Sequence, residues 1–265
     1  MPGRPFVLSE TNWKTIKDTP YEVAILPWGA TEAHNYHLPY STDTIESEHI
    51  ANEAARLAWE QGARVIVLPT IPFGVNTSQL DIRLTINMNP STQLAVLDDI
   101  AASLVRQRIP KLLVLNGHGG NDFKQIIREL VPKHELFFCT MNWYRCLDNA
   151  KFFADPGDHA GEMETSLVQF LASELVLPFS EAGEGRERKF KLTAFREGWA
   201  WTPRDWLRAT SDTGVGNPYA SNAEKGQRFF AAVTQKIAGF LVELAKADIN
   251  DLYAQHGQAA TKQAE

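Results

Sequence analysis

Two cysteines among 265 residues, Cys139 and Cys146, form neither a Cys-x-x-Cys pair nor a disulfide framework. The fold must therefore rest on a packed core, as expected of a chain in a reducing cytoplasm. Positive charge is also short: 26 Lys and Arg stand against 32 Asp and Glu, a formal charge of −6. That balance lacks the basic footprint that phosphate recognition demands, which argues against a nucleic-acid partner. No apolar run approaches the roughly 18 residues that cross a bilayer, and Met1-Pro2-Gly3-Arg4-Pro5 is not followed by the apolar stretch of a signal peptide. With 44% hydrophobic residues, 22% charged residues and seven tryptophans, the chain is composed like an ordinary globular protein. It shows no internal repeat and no linker, so residues 1–265 are expected to form one domain.

Short β-branched runs alternate with amphipathic stretches. Strands are predicted over 22–26, 64–68, 111–116 and 135–140. Helical patterns cover 44–61, the stretch from Ser91 with Leu94, Leu97, Ala101 and Leu104 on one face, and the segment holding Phe123, Ile126, Ile127 and Leu130. They resume over 164–175 and 223–247. Strands alternating with helices predict an α/β fold with a mainly parallel central sheet covered on both faces. Residues 178–222, rich in Pro, Gly, Arg and Trp, read as a long functional loop or crossover, and residues from about 250 to 265 as a polar tail.

Polar clusters fall where strands end, which is where parallel α/β sheets bind ligands. The first holds Glu32, His34, His37 and Asp43; the second is Asn116-Gly117-His118-Gly119-Gly120-Asn121; the third runs from Asp155 through His159, Glu162 and Glu164. Each piece has a plain reading. Asp43 alone is a good helix N-cap, the glycine-rich segment alone a strand-to-helix turn, and Glu162 and Glu164 alone suit the positive end of a helix. Arg186, Arg188, Arg196 and Arg204 could clamp an acidic substrate or simply form a solvated face. Together, imidazoles and carboxylates at three strand ends suit a divalent metal site, where Zn²⁺ or Mn²⁺ lowers the pKa of water to about 7.

Glu32-x-His34-x-x-His37-Leu38-Pro39, Asp43, Asn116-Gly117-His118-Gly119-Gly120-Asn121 and His159-Ala160-Gly161-Glu162-x-Glu164-Thr165-Ser166 resemble, in that order, the signature of the creatininase (creatinine amidohydrolase) family. The resemblance implies a three-layer α/β/α domain and two divalent ions per chain, Zn²⁺ or Mn²⁺ with Fe²⁺ as a further candidate. It also implies a homo-oligomer, often a hexamer, and a metal-activated hydroxide attacking a small, cyclic amide. By the same resemblance Glu32, Asp43 and His118 hold one ion, while His34 and the bridging Asp43 hold the other. His159 is the expected proton carrier, and Trp143, Gly119 and His37 are expected at the substrate. Creatininase proper carries a substrate-binding Tyr and a metal-binding Glu where this chain has Gly119 and Gly120, and a Trp where it has Asp155. Creatinine itself is therefore a doubtful substrate. The alternatives are carbon–carbon cleavage of a cyclic keto-sugar and a non-catalytic metal-binding partner in peptide maturation.

Gly120 cannot donate a side chain, which leaves the second ion with two protein ligands, fewer than the three usual at catalytic zinc sites. Glu164, on the same rim, is expected to supply the third and so to be essential to catalysis. Glu162, two residues away, would point elsewhere on a helix. The alternative is that both are helix-start carboxylates and water completes the shell.

Overall fold

The computed structural model describes residues 3–254. The polar tail read from the sequence lies, from residue 255 on, outside the described residues. Four parallel strands, β1 (Val23–Trp28), β2 (Val65–Val67), β3 (Lys111–Asn116) and β4 (Phe137–Asn142), form a sheet in the order β2-β1-β3-β4. Its register pairs Val23 with Val65, Ala24 with Leu112 and Asn116 with Asn142. After the short α1 (Trp13–Ile16), the main helices are α2 (Thr42–Glu60), α3 (Pro90–Arg106), α4 (Phe123–Leu130) and α5 (Glu162–Leu171). The single turns α6 (Thr193–Arg196) and α7 (Trp206–Ala209) precede the long α8 (Ala223–Lys246).

Alternation along the strands builds two cores. Val23, Ile25, Leu113 and Leu115 point to one face, where Ile50 and Ala54 of α2, Leu167 of α5 and Phe229, Val233 and Ile237 of α8 cover them. Ala24, Leu26, Leu112 and Val114 point to the other, against Leu97 and Ala101 of α3 and Ile126 and Leu130 of α4. The result is helix, sheet, helix, as the strand-helix alternation predicts. Fully apolar strands such as Leu112-Leu113-Val114-Leu115 are what a sheet buried on both faces requires.

The outer ends differ from the sequence expectation for local reasons. β1 runs on through Pro27, whose carbonyl accepts from Ile71 on the side where β2 has already ended, so its missing N–H removes no ladder bond. Helix α2 begins at Thr42 with Ser41 as its N-cap, so Asp43 is not a cap but lies within the first turn. Helix α5 starts at Glu162 and stops at Leu171, the remainder of the predicted span being a 3₁₀ turn at Ser173–Leu175. The buried Lys111 donates to the carbonyls of Leu244, Ala245 and Ala247 at 2.8 Å each, satisfying the last turn of α8.

In the order β2-β1-β3-β4 the crossover direction reverses between β1 and β3. The crevice beyond their carboxyl ends is where such sheets bind ligands, and it receives the loop after Trp28, the loop after Asn116 and the start of α2.

Candidate metal centre

Asn116 ends β3 and organises the loop that follows. Its carboxamide oxygen accepts from the backbone N–H of His118 and from Asn121 Nδ2, while its Nδ2 donates to the His118 carbonyl and to Asn142 at the end of β4. Asn121 in turn accepts from the Val75 backbone and from Gln93. The glycine-rich segment is thus a rigid turn that aims His118 inward. Gly120 is required by close approach: a Cβ there would stand 2.3 Å from the Val75 carbonyl oxygen and 2.5 Å from His118 Nε2. Gly119 has no such neighbours and is exposed.

Three histidines share one device. His118 Nε2 lies 3.1 Å from the Val75 carbonyl, His34 Nδ1 3.2 Å from the Glu32 carbonyl, and His159 Nε2 2.8 Å from the Ala33 carbonyl. A carbonyl only accepts, so each of these nitrogens carries the proton, and the other ring nitrogen of His118 and His34 faces carboxylates. His118 Nδ1 is 2.8 Å from Glu32 Oε1 and 3.0 Å from Asp43 Oδ2, and His34 Nε2 is 2.9 Å from Asp43 Oδ1. Glu32, His34, Asp43 and His118 are all buried.

Three trios bring one ligand atom from each member within 4.8 Å of the others; one is Glu32, His34 and His159, and the other two are Glu32, Asp43 and His118, and His34, Asp43 and Glu164. Asp43 belongs to both of the latter. The geometry thus brings together every residue read as a metal ligand, and gathers Glu164 rather than Glu162. Glu162 turns away, accepting from the Asp155 backbone and from Lys225 Nζ. The set fits divalent ions: Asp43 Oδ2 is buried and makes no hydrogen bond although His118 Nδ1 is near. Ring orientation by backbone carbonyls is also the usual support of metal-binding histidine.

His159 stacks on His34 with ring centroids 4.0 Å apart. Burial, and next the nearby His34, lower its pKa to about 4, so it is neutral at pH 7 with a free lone pair on Nδ1. Trp206 of α7 packs edge-on against it at 4.7 Å, and Arg204 lies over Trp206 while pairing with Asp158 and Glu187. The 178–222 segment is stitched onto this side of the centre. Val215 and His159 exchange backbone hydrogen bonds, Thr213 Oγ1 donates to the Ala33 carbonyl, and Asn35 bonds Gly183 in both directions. Within it Arg186 pairs with Glu184, and Arg196 donates to the carbonyls of Phe190 and Lys191.

The residues read as substrate contacts separate. Trp143 is 1% exposed, and its indole N–H donates to Ser47. His37 is equally sealed, with Nε2 on Thr165 Oγ1. Only Gly119 stays open. The sequence reading missed Gln79, whose Nε2 donates to Glu32, as well as Trp206 and the buried Glu46. None of these lies in a strand-end cluster, and no motif marks them.

Electrostatics predict a pH dependence. Burial opposes charge on His34, but Asp43, followed by Glu164 and Glu32, raises its pKa from 6.5 to about 9. In the metal-free protein this contributes stability that is complete below pH 6.5 and lost as pH rises through 9. A cation competes with that proton, so metal affinity should move the other way. It should climb about tenfold per pH unit for each proton displaced, then level off above the His34 pKa. Chelator-buffered titrations from pH 6.5 to 9.5 check this; a flat profile would mean that no ligand histidine is protonated before binding.

A family model described as creatinine amidohydrolase matches residues 9–241. The mycofactocin precursor peptide peptidase of Mycobacterium ulcerans (strain Agy99) is 27% identical over 234 residues, covering 85% of this chain and 87% of that one. A solved structure from Bacteroides fragilis NCTC 9343, provisionally named a creatinine amidohydrolase, is 42% identical with a TM-score of 0.88, covering 92% of this chain and 98% of that one. A manganese form of creatininase shares the fold at 20% identity, with a TM-score of 0.75 and coverage of 92% and 100%.

Proposed function

The chain belongs to the creatininase family, and on that premise we propose that it is a single-domain, dinuclear metal-dependent hydrolase of an amide C–N bond. The observation that carries this reading is the pair of ligand trios joined at Asp43. Glu32, Asp43 and His118 would hold one ion, and His34, Asp43 and Glu164 the other, with Zn²⁺, Mn²⁺ or Fe²⁺ compatible with imidazole and carboxylate donors. Such ions supply a nucleophile from water at neutral pH and draw electrons from the scissile carbonyl. The chain's own residues do the rest. Neutral His159 accepts a proton at Nδ1 and returns it to the leaving nitrogen, a role that suits an imidazole held by the Ala33 carbonyl. Gln79 fixes one oxygen of Glu32 and leaves the other for the ion. By family resemblance the enzyme is a homo-oligomer, often a hexamer, and its cysteine usage suits a reducing cytoplasm. Among the described residues no helix is long and apolar enough to cross a membrane.

The substrate is a small amide other than creatinine. Gly119 offers no side chain, Asp155 is exposed and acidic, and Trp143 is sealed, so the flat faces that would grip creatinine are missing. A second reading, cleavage of a peptide amide, is favoured by the curated relatives named for a precursor peptide. A mass-spectrometric screen of the metal-loaded enzyme decides among these, using cyclic amides, short peptides, cyclic keto-sugars and creatinine. Creatinine should show a kcat/KM about 5- to 150-fold below the best substrate, since a lost stacking face costs roughly 1–3 kcal/mol. Comparable values would restore creatinine. Two bound ions with no turnover across the panel would instead favour a non-catalytic partner in peptide maturation.

A further inference from the structure

Glu46 lies on α2 one turn beyond Asp43, is fully buried, and has no hydrogen-bond partner on either carboxyl oxygen. Most buried polar groups are bonded, so a carboxyl group with two orphan oxygens calls for a specific reason. Residues three apart share a helix face, and α2 packs against α5, which carries Glu164 in its first turn. Burial first, and then the negative charges of Glu164 and Asp43, hold the Glu46 carboxyl well above its ordinary pKa. Among the described residues no Lys or Arg bonds either of its oxygens. Glu46 is absent from the trios whose ligand atoms gather within 4.8 Å, so it is not itself one of the gathered donors.

We infer that Glu46 is a positioning residue of the centre, serving the cation held by His34, Asp43 and Glu164, and that a water carried by that cation provides the hydrogen-bond donor its carboxylate lacks. The inference rests on the metal reading above. It also fits a position 120 that carries no side chain: with three protein donors on that half, the remaining place falls to water, and Glu46 is the acceptor that orients it.

The test is a chelator-competition titration with Zn²⁺ on the wild type, Glu46→Gln and Glu46→Leu, together with thermal melts of the metal-free proteins. The wild type should bind two ions. Both variants should bind one ion as tightly as wild type and the other about 10–100-fold more weakly, the usual loss when an outer partner of a metal ligand is removed. The metal-free variants should melt no lower than wild type, because an unpartnered buried carboxyl has been removed. Unchanged affinity for both ions would overturn the inference, as would lower melting of the metal-free variants with affinities intact, which marks a purely structural role. A wild type that fails to bind two ions would bring down the metal reading itself and this inference with it.

Discussion

Replacing Asp43 by alanine should strip the protein of both divalent ions and reduce turnover to background. Asp43 gives Oδ1 to His34 at 2.9 Å and Oδ2 to the His118 side at 3.0 Å, and it is the member common to both ligand trios. Without it, Glu32 with His118 and His34 with Glu164 remain as two-donor remnants, short of the three protein ligands usual at catalytic zinc. The fold should persist, because α2 is begun by Ser41 and held by its apolar face, and does not depend on this carboxylate as a cap. Against burial, Asp43 is the main group raising the pKa of His34 and, after Glu32, a further one raising that of His118, so both protons should leave at lower pH in the variant, that of His34 most. Elemental analysis after dialysis, beside circular dichroism, measures both consequences. A variant that kept its two ions would show that Asp43 does not bridge.

The ligands at the three strand ends were legible because each sits in a short contiguous cluster that a strand delivers to one rim. Glu32 and His34 follow β1 directly, His118 follows β3, and Asp43 opens α2. The layering was legible for the same reason: β-branched and leucine-rich runs can pair only in a sheet covered on both sides. What stayed hidden depends on contacts between distant segments. Glu46 falls on a helix whose other glutamates, Glu48, Glu53 and Glu60, are exposed or partly exposed, and nothing in the pattern marks it as the one facing inward. Gln79 and Trp206 come from segments without periodicity, and only tertiary closure brings them to Glu32 and His159. Trp143 shows the converse. It follows β4 at the correct rim, yet its indole N–H turns to Ser47 and the ring joins the core.

The two glutamates that open α5 should separate metal binding from folding stability. Glu164 gathers with His34 and Asp43, and its Oε2 accepts from the Ala160 backbone, which fixes the side chain across the first turn. Burial pushes its pKa up to about 7, and the positive charge of His34 is the main force opposing that rise. A cation beside it would supply the same opposition more strongly. Glu164→Gln keeps the shape and most of the packing but replaces a charged donor oxygen with a neutral amide. It should therefore release one ion of the two and abolish turnover, with little change in metal-free melting. Glu162 answers to different neighbours: although burial alone would raise its pKa, the Asp155 backbone N–H and Lys225 hold it below the ordinary range. Glu162→Gln should retain both ions and instead cost about 1–3 kcal/mol of stability, the usual penalty for weakening a charge-assisted hydrogen bond. Each variant thus moves one readout and leaves the other: metal content falls in Glu164→Gln, and stability in denaturant melts falls in Glu162→Gln. If Glu162→Gln lost an ion while Glu164→Gln kept both, the ligand would be the other carboxylate, and α5 would have to turn its first residue toward Asp43.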